Sequence, residues 1–171
     1  DDNFTQLLIP NWKVRLTGFI ASSIVLSLLS TLILSIVNAV LLLIFLDSTL
    51  KNYLEFTMFL DVTIRVMIFA IVLTLLAIFL IRLTKKSMSS LIAIVLLLVI
   101  TLSGILRGIS SKLENLLPLI GAKSFAFGRI EGTQTSQLYG FTLLVVEGIL
   151  FLVLIIVVEK IRMGRKNGKS I

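Results

Sequence analysis

The chain has 171 residues, of which 57% are hydrophobic and 15% charged, and its mean hydropathy is +1.11. A water-soluble domain of this size needs a polar surface that this composition cannot supply, so the chain reads as an integral membrane protein with room for one all-α helix bundle, residues 1–171, and no soluble domain. The net charge of +7 reads as basic loops that orient helices rather than as a nucleic-acid surface, and the lack of Cys and His excludes disulfides, thiolate chemistry and His-held haem.

The chain opens at Asp1 without the basic region, short apolar core and small-residue cleavage site of a signal peptide. That start implies either removal of something upstream or a longer parent sequence. Asn3-Phe4-Thr5 matches a glycosylation acceptor, an accidental match if this end is cytoplasmic. The first apolar segment covers residues 16–46, more than the ~20 residues a span needs, so it tilts or extends beyond the bilayer. Ser23, Ser27, Thr31 and Ser35 recur on it every four residues, a small polar stripe suited to close helix packing. The second segment covers 56–81, the third 89–106 and the fourth 138–158. None alternates polar with apolar residues, so all four read as helices rather than barrel strands. Gly104 and Gly108 form a GxxxG near the end of the third, again more suited to packing than to chemistry.

The connections carry the orientation. Lys13, Arg15, Arg82, Lys85, Lys86, Lys160, Arg162, Arg165, Lys166 and Lys169 fall on one side, ten basic residues; Lys51, Arg107, Lys112, Lys123 and Arg129 fall on the other, five. The positive-inside rule then puts both termini in the cytoplasm of a multi-pass cell-membrane protein, with Trp12 near the inner interface and Tyr53 and Tyr139 near the outer one. The outer loop, 107–137, is not a hydrophilic linker. Leu116, Leu117, Leu119, Ile120, Phe125 and Phe127 make its middle apolar, and Pro118, Gly121 and Gly128 break it into short pieces. Two readings stay open: short helices that lie in or dip into the outer interface, or an amphipathic loop packed on the bundle.

Within the apolar run "FLDVTIRVMIFAI" stand an acid and a base, Asp61 and Arg65. Four residues apart, they share one helix face and can pair directly. Arg65 lies about nine residues, or roughly 13 Å, below the outer end of its helix. Glu147 lies at a matching depth in the fourth helix, and Asn38 at nearly the same level in the first. Charges at such depth cost a few kcal/mol if they face lipid, so the sequence predicts one inward polar layer: Arg65 between Asp61 and Glu147, with Asn38 nearby. The layer is either interhelical glue or the lining of a transport path or dimer-interface switch.

No enzyme is legible. "GRKNGKS", 164–170, is one residue short of a phosphate-binding P-loop and has no strand before it, so it reads as a solvated basic tail. There is no Ser/His/Asp constellation, no metal-ligand cluster and no glycine-rich nucleotide loop, and no cofactor is expected.

Four stretches resemble the C-terminal part of an ABC-2-type transporter permease: "LLIPNWKVRLTGF" (7–19), "LLAIFLIRLTKKSMSSLIAIVLLLV" (75–99), "LENLLPLIGAKSF" (113–125) and "LIIVVEKIRMGRKN" (154–167). They are similar, in order, to the family's proline-led cytoplasmic entry, its tight basic turn, its re-entrant outer segment and its basic cytoplasmic end. The resemblance covers residues 7–167 and rests on topology and spacing. It implies an exporter subunit that works as a dimer with separate cytoplasmic ATP-binding subunits, which would contact Lys13, Arg15, Arg82, Lys85 and Lys86, and a re-entrant segment through Pro118, Gly121 and Phe125. The family has six spans; with four here, two would lie ahead of Asp1, or this is a different four-helix protein. The reading from another class is a structural or accessory subunit packed among other membrane subunits, with no substrate path of its own. A small carrier acting alone is weaker, since four spans without a repeat are few for alternating access.

Overall fold

The computed structural model describes residues 11–46, 56–103, 105, 117, 119–126 and 137–167, with side chains to 163. Every element among them is helical: α1 (Trp12–Phe45), α2 (Phe56–Thr84), α3 (Ser87–Ser103), the short α4 (Ile120–Phe125) and α5 (Gln137–Asn167). α1, α2 and α5 are long and apolar enough to cross a membrane. At 34, 29 and 31 residues they measure about 51, 44 and 46 Å, beyond the ~30 Å of a bilayer core. α3 is equally apolar but has 17 residues, about 25 Å, and stops short of that length. The expected fourth span therefore rests on a helix shorter than the other three.

Each long helix runs past its apolar stretch. α1 starts at Trp12 because the Asn11 side chain accepts the Lys13 N–H at 3.1 Å, an N-cap that relieves an otherwise unmade donor. α2 continues through Arg82, Leu83 and Thr84, whose backbone stays helical. It ends at Lys85, with φ 58°, whose N–H closes on the Ile81 carbonyl at 2.9 Å. That left-handed residue is the usual way a helix stops. The Thr84 hydroxyl then ties the turn, donating to the Leu80 carbonyl at 2.9 Å and sharing a 2.8 Å bond with the Ser90 hydroxyl, which lies buried on α3.

α2 is the centre of the bundle, with α1, α3 and α5 packed against it. α1 uses the small-residue stripe: Ser23, Ser27, Thr31 and Ser35 are half-buried, and the Ser27 hydroxyl reaches the Ala70 carbonyl at 3.5 Å. Its remaining length is largely exposed apolar surface, the property of a helix that faces lipid or another apolar partner. α5 lies parallel to α2 and buries Gly140, Leu144, Gly148, Phe151, Ile155 and Glu159, spaced four, four, three, four and four. These meet Phe69, Val72, Leu75, Leu76 and Ile78 of α2 to form the core, with Phe79 and Phe151 stacked at 6.3 Å. Gly104 and Gly108 lie outside the described residues, as does Tyr53.

The start of α1, the turn between α2 and α3, and the end of α5 gather at one end of the bundle, here termed the basic end. Trp12 stands there, and Tyr139 lies in the first turn of α5 at the opposite end.

Candidate functional site: a polar layer around a short buried helix

Near the opposite end, α4 is wedged into the bundle against α5 and α3. Leu119, Gly121, Ala122, Lys123, Ser124 and Ala126 are all buried. Glycine makes this possible. A Cβ on Gly121 would overlap the Gly140 carbonyl, and a Cβ on Gly140 would overlap the Ser124 hydroxyl and stand 2.8 Å from the Gly121 carbonyl. Backbone meets backbone here, as small residues permit in apolar bundles.

A six-residue helix inside apolar surroundings has unmet amide donors at its start. Glu147 supplies an acceptor: its Oε2 takes the Leu119 N–H at 2.9 Å. Leu119 holds a left-handed conformation, φ 67° and ψ 12°, costly for a branched residue, and its side chain is fully buried. Glu147 is ten residues into α5, about 15 Å along it, so the start of α4 sits well inside the apolar length of α5. Replacing Glu147 by Gln keeps an acceptor and should leave thermal stability near that of the wild type. Glu147→Leu orphans the Leu119 amide and should cost about 1–3 kcal/mol in a detergent melt. Equal stability for the two variants would mean that the cap does not hold α4.

On the α2 side, Arg65 and Asp61 form the expected i,i+4 pair, Nη2 to Oδ2 at 2.7 Å. Arg65 is 21% exposed and Asp61 57%, so the pair opens outward from the acid. The Arg65 guanidinium lies 5.7 Å from the centre of the Phe125 ring, which packs at 5.2 Å on Phe141 of α5. Cation and ring attract at such a distance. α4 is thus gripped at its start by Glu147 and at its end by Arg65.

The sequence places these residues at one level, but the contacts differ from those expected. Arg65 and Glu147 form no ion pair; the short helix stands between them, taking a carboxylate at Leu119 and a cation at Phe125. Asn38 is exposed on α1 and makes no hydrogen bond with the layer. Gly121 and Phe125 are both in the wedge, whereas Pro118 lies outside the described residues. Sequence reasoning missed Lys123, counted as a loop cation but buried on α4 beside Ser124. Its place in an apolar run between two glycines was the available signal.

At the basic end, Lys13, Lys85 and Lys86 are exposed and Arg15 is half-buried. Arg82, expected to face a cytoplasmic partner, turns inward instead. Its Nη1 lies 3.6 Å from Oε2 of Glu159, and its guanidinium carbon 5.0 Å from the centre of the Phe19 ring. This contact joins α1, α2 and α5, and the sequence alone does not single out Glu159. Among the described residues no group of three His, Cys, Asp or Glu side chains could hold a metal ion.

Comparison of the chain with protein-family models, with curated proteins and with solved structures finds no match.

Proposed function

We propose that the chain is the membrane subunit of a transport system, of the kind it resembles, an ABC-2-type exporter permease driven by separate ATP-binding subunits. The observation that supports this reading best is the α4 wedge. A short helix broken at Leu119, carrying Lys123 and Ser124, sits within the apolar bundle and is held there by Glu147 and Arg65. Non-helical backbone at membrane depth is tolerated where protein buries it or where it lines a polar passage, and intramembrane charges mark such passages. In this reading α3 is the fourth span, 119–126 is the re-entrant outer segment, and both ends of the chain lie in the cytoplasm. The chain works as a dimer, and the exposed lysines of the α2–α3 turn, Lys85 and Lys86, meet the ATP-binding subunits together with Lys13.

The second reading, an accessory subunit of a larger membrane complex, is favoured by one feature. The polar layer is satisfied within the chain, Asp61 by Arg65 and Glu147 by Leu119, as interhelical glue would be.

Purification of the tagged chain from its native membrane in mild detergent separates the two. A permease brings down, at near-equal stoichiometry, a soluble protein carrying a complete P-loop. Recovery of other membrane subunits alone would sink the permease reading in favour of the accessory one.

A further inference from the structure

The two ends of the bundle treat charge differently. At the end holding α4, the described charges are Asp61, Arg65, Lys123 and Glu147, two of each sign, and both acids are engaged within the chain. At the basic end the described side chains include seven cations, Lys13, Arg15, Arg82, Lys85, Lys86, Lys160 and Arg162, against one carboxylate. That carboxylate, Glu159, is buried and already faces Arg82. Among the described residues, Lys13, Lys85, Lys86 and Lys160 are exposed and have no acidic partner.

Within two residues of these lysines along the chain lie exposed apolar side chains: Val14 on α1, Leu83 on α2, Met88 on α3 and Ile161 on α5. A surface with cations at its rim and apolar atoms a turn away fits a molecule that is anionic at one end and apolar along the rest. We infer that the basic end binds anionic phospholipid, with the phosphate headgroup on Lys13, Lys85, Lys86 and Lys160 and the acyl chains against the neighbouring helix faces. The attraction of such cations to an anionic leaflet is of the order of a fivefold preference for each cation near the surface. The inference needs only the helix ends and their charges and concerns the chain without a docked partner; in the transport reading the ATP-binding subunits displace lipid from Lys13, Lys85 and Lys86.

Trp12, the sole tryptophan, starts α1 with the Lys13 ammonium 6.0 Å from the centre of its ring, and so reports on this rim. The full chain is reconstituted in phosphatidylcholine vesicles containing one brominated lipid at a fixed mole fraction, either phosphatidylglycerol or phosphatidylcholine. Trp12 should be quenched more by the brominated phosphatidylglycerol, with a preference in local occupancy of at least about fivefold, the value for a single cation. The preference should fall to parity near 1 M salt, where the screening length is about 3 Å, and in the variant combining K13Q, K85Q, K86Q and K160Q. Equal quenching by the two lipids in low salt overturns the inference and leaves the lysines to an acidic protein partner. Loss of the preference on adding millimolar inorganic phosphate at constant ionic strength also overturns it, because the site would then take a soluble anion. The salt series on the unaltered chain decides between these outcomes whether or not the fourfold variant folds.

Discussion

Gly140→Ala destabilises the protein, although the same change in an ordinary helix would stabilise it. Alanine is favoured over glycine in a helix interior by about 1 kcal/mol, since glycine loses more backbone freedom on folding. At Gly140 that gain is outweighed, because the added methyl meets the Ser124 hydroxyl and the backbone of Gly121. Neither can give way cheaply: Ser124 is on the buried wedge, and the Gly121 carbonyl belongs to α4 itself. Overpacking of this kind costs about 1–3 kcal/mol. Gly18 provides the control, being exposed in α1 with no atom near the position of its missing Cβ. Gly18→Ala should raise the melting temperature in detergent or leave it unchanged, whereas Gly140→Ala should lower it by several degrees. Gly121→Ala, which strikes the Gly140 carbonyl from the other side, should behave like Gly140→Ala. If all three variants melted together, α4 would not be seated against α5 as described.

That contact is also where the sequence is hardest to read. Hydropathy and length locate every long helix, because in apolar surroundings backbone groups must be satisfied within a segment and little choice of structure remains. They set the ends too early, at Ile81 and Val158, since hydropathy falls where charges begin while the helical backbone runs on through Arg82–Thr84 and Lys160–Asn167. The serine stripe of α1 is legible as packing, and Ser27 meets α2 as such a stripe should. The Asp61–Arg65 pair is legible because its partners lie four residues apart on one helix, so that local geometry alone brings them together. The partner of Glu147 is not. It is a backbone amide 28 residues away, and no side chain in the sequence advertises a backbone donor. Matching depths therefore suggest Arg65, the nearest visible charge, when the short helix lies between them. Glu159 escapes notice for a related reason: it stands where a helix passes from apolar to basic residues, where an acid looks like one more surface charge.

Arg82→Met should be among the most damaging single substitutions outside the wedge. Glu159 has a side chain only 7% exposed, and its Oε2 has no hydrogen-bond partner; the nearest compensation is the Arg82 Nη1 at 3.6 Å. Removing the arginine leaves a buried carboxylate without its counter-charge, which costs about 3–5 kcal/mol where such pairs are broken. It also removes the cation over Phe19, loosening α1, which has no other charged contact with α2 among the described residues. Glu159→Met strands the arginine instead, but Arg82 is 20% exposed, and its long side chain can carry the charge towards the basic end, so the loss should be smaller. The double variant with Met at both positions removes both charges, and since a buried ion pair recovers little beyond its own desolvation, it should melt close to the wild type. A double-mutant cycle read by thermal melting in detergent measures this directly, with a coupling of a few kcal/mol expected. Additive losses in the double variant would show that the two side chains do not depend on each other. The cycle also bears on function. If the double variant melts like the wild type but no longer copurifies with a soluble P-loop partner, the Arg82–Glu159 contact shapes the basic end for docking as well as fastening three helices together.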